Sequence, residues 1–183
     1  MFVTLGARNQ VDELVDLLAA CHRRIRQHVV LARRLVVEGP TRPAHEVRDT
    51  AVQIRRYFTL ALPLHVADED QTIAPRLRDF DSTVTTALKT VAADHGNHQS
   101  LIDSLVELCG EIEHAPDQLA AINARLSRLV ELIAAEFATH LELEERVVFP
   151  ALRALTPTER TEILAAIRKR REGSLAYGDA EPR

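Results

Sequence analysis

Apolar residues recur every three or four positions along four long stretches of the chain. The first carries Val11, Leu14, Leu18, Ile25 and Val29, and the second Val47, Ala51, Ile54, Phe58 and Leu62. The third carries Val84, Leu88, Val91, Ile102, Leu105, Cys109 and Ile112. The fourth carries Ile122, Leu126, Leu129, Ile133, Phe137, Val148 and Leu152. Such steps keep residues on one side of an α-helix, as a bundle core requires. The breakers "EGPTRP", "PRLRDFDS", "HAPD" and "TPT" separate the stretches. Helices are therefore predicted over about 11–38, 44–74, 83–113 and 118–155, with a shorter one over about 159–171 behind a Thr cap. Pro63 should kink the second. Short connections favour antiparallel neighbours. The expected fold is all-α, an up-down-up-down four-helix bundle with a short extra C-terminal helix. Residues 1–171 are expected to form one domain and 172–183 a flexible tail.

Each apolar stripe has a gap filled by polar residues. His22 lies between Leu18 and Ile25, and His65 and Glu69 follow Leu62. His95 and His98 precede Ile102, and His140 and Glu144 follow Phe137. Residues four apart on a helix differ by about 40° in direction, so both members of each His/Glu pair can point inward. One such histidine is most simply a hydrogen-bonded core residue. Six buried polar groups without partners would cost about 1–3 kcal/mol each. Their sum rivals a domain's whole stability of roughly 5–15 kcal/mol. A bound cation compensates all six at once.

The polar set also repeats. "HVADEDQTIAPRLR" from His65 aligns with "HLELEERVVFPALR" from His140, matching Glu69 to Glu144 and Pro75 to Pro150. His22 and His95 stand in nearly the same relation. The unit is a helix bearing one histidine, then a helix bearing His-x3-Glu and closing at Pro. Two copies make a bundle with pseudo-twofold symmetry.

Composition narrows the partners. The formal net charge of −4 gives no reason to expect nucleic acid. No apolar run reaches the ~18 residues of a membrane span, so no membrane partner is expected. "MFVTLGARNQ" lacks the order of a signal peptide. A cytoplasmic location is the expectation, with Cys21 and Cys109 as free thiols.

Four or five imidazoles and two carboxylates exceed what one metal takes. Two metals would share them, with the glutamates free to bridge. Mixed nitrogen and oxygen ligation without thiolate suits iron or manganese, and zinc less well. Neither Glu-x-x-His nor His-Glu-x-x-His occurs.

"HVADEDQTIAP" and "HLELEERVVFP", with "CHRRIRQH" and "ADHGNH" before them, resemble the hemerythrin-like HHE cation-binding domain over about residues 10 to 155. The resemblance implies a four-helix bundle holding two non-haem Fe ions, oxo- or hydroxo-bridged, with Mn or Zn as substitutes. It makes His22, His65, His95 and His140 terminal ligands and Glu69 and Glu144 bridging carboxylates. Oxygen-carrying members use His-x3-His in the third helix, where this chain has Gln99. The implied function is binding or sensing of O2 or a related small ligand. The alternatives are a redox enzyme handling peroxide or nitric oxide, and a structural bundle that is metal-free or zinc-bound.

His98 is expected to sit behind the ligands or to be a fifth one. His28, His45 and His114 are expected to be solvated, and Cys21 and Tyr57 to pack. Glu142 and Glu145 are expected to point outward. "RKRR" at 168–171 suits the negative end of the last helix dipole. Ile163, Leu164 and Ile167 would pack that helix on the bundle or form a homodimer contact.

Overall fold

The computed structural model describes residues 10–178, with side chains described from 13 to 172. The segment read for a leader, and the last five residues of the expected tail, lie outside the described residues. Every long element is helical. The first rod is α1 (Gln10–Glu38). The second joins α2 (Ala44–Arg56), α3 (Leu62–Asp68) and α4 (Ala74–Leu77) through π-turns at Tyr57–Ala61 and Glu69–Ile73. The third is α5 (Ser82–His114). The fourth joins α6 (Leu119–Leu143) to α7 (Phe149–Ala154) through a π-turn at Glu144–Val148. The last is α8 (Pro157–Gly178). It runs beyond the expected end at Arg171.

The π-turns have a common cause. Each ends two residues before a proline: Ala61 before Pro63, Ile73 before Pro75, Val148 before Pro150. Proline offers no N–H, and its ring crowds the carbonyl four residues back. A wider turn accommodates both and lets the helix continue. The second rod, expected to close at about 74, therefore passes Pro75 and reaches Leu77, and the fourth passes Pro150 to Ala154, close to its expected end at about 155.

Neighbouring rods run in opposite directions. Along α1, His22 and Arg33 meet Glu145 and Glu131 of the fourth rod. Along the second rod, Arg55 and Asp70 meet Glu113 and His95 of α5. The stripes do the packing: Leu14, Leu18, Ile54, Phe58, Leu105, Ile112, Leu126 and Ile133 are all buried. They form two apolar cores. One runs from Ile25 and Leu62 to the far end of the bundle, and the other gathers Leu14, Leu18, Ile73, Leu77, Val148 and Leu152. Between them lies a polar layer, at the level of His22, His65, Glu69, His140 and Glu144.

Ile163 and Ile167 of α8 join the second core, so this face packs on its own chain. A reciprocal cap starts the helix. The Thr156 N–H donates to Glu159 Oε2 at 2.8 Å, and the Glu159 N–H donates to Thr156 Oγ1 at 3.3 Å. Thr156→Ala should cost about 1 kcal/mol, read as a small drop in urea midpoint with unchanged slope. The membrane expectation has one observation: no described helix is long and apolar enough to cross a bilayer.

Candidate metal centre

All six residues of the repeated pattern meet in the polar layer. The geometry follows from the sequence spacing. A histidine and a glutamate four apart face the bundle axis from the second and fourth rods, and single histidines face it from α1 and α5. Nε2 of His65 lies 3.2 Å from Oε1 of Glu69, and Nε2 of His95 lies 3.3 Å from its Oε2. Nε2 of His22 lies 3.1 Å from Oε2 of Glu144, and Nε2 of His140 lies 3.7 Å from its Oε1. Each carboxylate therefore presents one oxygen to one half of the layer and its other oxygen to the other half.

Two overlapping groups result among the described residues. One is His22, His65, Glu69 and Glu144; the other is Glu69, His95, His140 and Glu144. Within each group the ligand atoms lie within 4.8 Å of one another. Nε2 of His22, Nε2 of His65, Oε2 of Glu69 and Oε2 of Glu144 are buried without a hydrogen-bond partner. Buried polar atoms are almost always satisfied. Convergent unsatisfied nitrogens and carboxylate oxygens fit a cation.

The outer faces of the rings are held in place. Nδ1 of His22 donates to Glu145 at 2.9 Å, and Glu145 also receives Arg26 at 2.8 Å. Nδ1 of His95 donates to Asp70 at 3.0 Å, and Nδ1 of His140 to Asp94 at 3.3 Å. Placing the proton on Nδ1 leaves the Nε2 lone pair facing inward, as a metal ligand needs. The outward orientation expected for Glu145 is thus corrected: it reaches back across the interface to α1. The repeat carried a signal for these partners, because Asp70 and Glu145 each follow the inward glutamate by one residue.

Charge is strongly redistributed when protons alone occupy the layer. Burial disfavours a charged His22, yet the neighbouring Glu144 and Glu69 carboxylates outweigh it and lift its pKa from 6.5 to about 10. His95 rises to about 9, where Glu69 outweighs burial. Burial pushes Glu69 up, but His65, His22 and His95 hold it well below the usual carboxylate range. Burial and the neighbouring Glu69 charge push Glu144 up. A histidine whose folded pKa exceeds its unfolded value stabilises the fold fully below the unfolded value. That stability is lost as pH rises through the folded one. The metal-free protein should therefore melt at lower temperature at about pH 10 than at about pH 7. A melting temperature that holds or rises across this window would contradict the assignment.

His98 belongs to neither group. Its ring stacks on Phe137 at 4.8 Å and meets His140 edge-on at 5.1 Å. Nε2 lies 3.7 Å from Glu136. Burial and the neighbouring His140 hold it below the ordinary histidine value. His98 lines a cavity of about 250 Å³ with His65, His95, His140, Phe58 and Gln99. The cavity reaches the metal-ligand layer from the side of the second and third rods.

The remaining candidates sort clearly. His45 and His114 are exposed. His28 is half-buried and stacks on Tyr57 at 3.7 Å, away from the ligand layer. Cys21 does more than pack: Arg171 reaches its sulfur at 3.3 Å. Burial raises the Cys21 thiol, and the nearby His65 and Arg171 more than offset it, leaving its pKa lowered. The dipole account of "RKRR" is incomplete. Arg170 and Arg171 both pair with Asp68, which is fully buried beside Glu69.

Neither a curated protein nor a solved structure matches the chain. The family comparison does match, over a segment that contains His95, His140 and Glu144. Residues 86–172 match the model of the hemerythrin HHE cation binding domain, the family that the repeated His-x3-Glu motif had indicated.

Proposed function

We propose that the chain is a hemerythrin-like up-down four-helix bundle whose polar layer holds two non-haem iron ions and binds or senses O2 or a related small ligand. One observation carries this reading. Glu69 and Glu144 each divide their two oxygens between the two histidine pairs, the arrangement that two adjacent cations require. His22 and His65 would hold one ion, and His95 and His140 the other. An all-nitrogen and oxygen donor set with two negative charges suits iron or manganese better than zinc. Iron there would supply reversible redox chemistry toward a small ligand.

The chain's own residues do the rest. Phe58, Phe137, Ile25 and Ile102 give the adjacent cavity apolar walls that suit a diatomic molecule or peroxide. Asp70, Asp94 and Glu145 orient the rings. Redox turnover of peroxide or nitric oxide is a second reading, favoured by His98. Its Nε2 is buried beside the ligand layer and can hold a proton for a cavity-bound molecule. His98→Ala would slow such turnover while leaving metal content intact, whereas a pure binder shows no turnover in either form.

The test is metal content with an optical spectrum, on the wild type and on His140→Ala combined with Glu144→Ala. The expected result is about two irons per chain with near-ultraviolet charge-transfer bands, both lost in the variant. Fewer than about one metal per chain, after purification with iron supplied, would sink the di-iron reading.

A further inference from the structure

The two halves of the metal layer come from one repeated unit, so a contact in one half has a counterpart in the other. Glu145 holds His22 and Asp70 holds His95, and these acids occupy equivalent places. Asp94, the residue before His95, holds His140. The equivalent place, the residue before His22, is Cys21. Cys21 lines one small cavity with His65 and Arg171. Three histidines are thus backed by a carboxylate, and for the fourth, His65, the equivalent place holds Cys21.

Nε2 of His65 faces Glu69, which leaves Nδ1 for the Cys21 side of the ring. Nδ1 is buried and has no well-aligned acceptor. Cys21 is itself 6% exposed. On its far side, Arg171 donates to the sulfur and is anchored by Asp68. Once Nε2 is committed to a metal, the ring proton must sit on Nδ1, which then needs an acceptor.

We propose that Cys21 is a positioning residue for one of the two metal positions. Its sulfur accepts the hydrogen bond from Nδ1 of His65, in the place that Asp94 takes for His140. A carboxylate behind an imidazole raises its basicity and its hold on a metal, and sulfur shared with an arginine does so less. The His22/His65 position is therefore the weaker of two otherwise equivalent positions, and the residue at 21 sets the difference. This rests on the two-metal reading above.

Cobalt(II) titration of the metal-free full-length protein tests it, followed by the visible ligand-field bands. The wild type should take up two ions in two resolvable steps. Cys21→Val keeps the packing volume but removes the acceptor. It should weaken the second step by roughly 10- to 100-fold and leave the first unchanged. Cys21→Asp should tighten the second step until the two merge, and Cys21→Ser should stay close to wild type. A purely structural role for Cys21 predicts the reverse order, with valine harmless and aspartate damaging. Two ions bound with an unaltered second step in the valine variant, or equal losses at both steps, would overturn the assignment. Should the valine variant fail to fold, the aspartate variant decides: an unchanged or weakened second step there overturns it. Fewer than two ions in the wild type would instead remove the two-metal reading, and this assignment with it.

Discussion

Glu69→Gln or Glu144→Gln should empty both metal positions, whereas His65→Ala or His140→Ala should empty one. The glutamates differ from the histidines in what they touch. Glu69 meets His65 with one oxygen and His95 with the other, and Glu144 does the same for His22 and His140. Each amide substitution removes a negative charge from both positions and leaves one of the two with a poor ligand. Loss of a partner merely behind a ligand costs roughly 10- to 100-fold in affinity, and loss of a shared ligand should cost more at both sites. Metal analysis should give about two ions per chain in the wild type, about one in the single histidine variants, and below about half in the glutamate variants. Equal losses in all four variants would contradict the sharing of carboxylates.

Replacing both Arg170 and Arg171 by Ala should destabilise the protein by about 3–5 kcal/mol, while Asp68→Asn should cost less. Asp68 is completely buried, and the two arginines that reach it are only 22% and 25% exposed. Removing the arginines leaves a carboxylate in the interior without a counter-charge. Removing the carboxylate leaves two long side chains that can extend into water. The double arginine variant should melt lower by on the order of 10 °C. Comparable losses in the two variants would contradict this asymmetry.

Much of this architecture was legible in the chain. Leu14, Ile54, Leu105 and Leu126 are buried as their spacing required, because helical periodicity and core burial are one constraint. His22, His65, Glu69, His95, His140 and Glu144 converge as the repeat suggested. What was not legible depended on contacts between rods. Asp70, Asp94 and Glu145 are ordinary surface acids until a histidine from a neighbouring rod lies 2.9–3.3 Å away. The continuation of the second rod past Pro75 was missed for a different reason. Proline forbids the ordinary α hydrogen bond but tolerates a wider turn, and local propensity does not distinguish a stop from a widening. The arginines of α8 were read by position along their own helix, and their partner lies about a hundred residues away in sequence.

The polar layer divides the interior into two apolar halves, and all four long rods pass through it. Both cysteines are free, so nothing covalent ties the halves together. A cation bound there is a cross-link that can be installed and withdrawn, fastening every rod at mid-height. The rigidity of the whole bundle would then follow the supply of metal, much as that of a small secreted domain follows the oxidation of its disulfides.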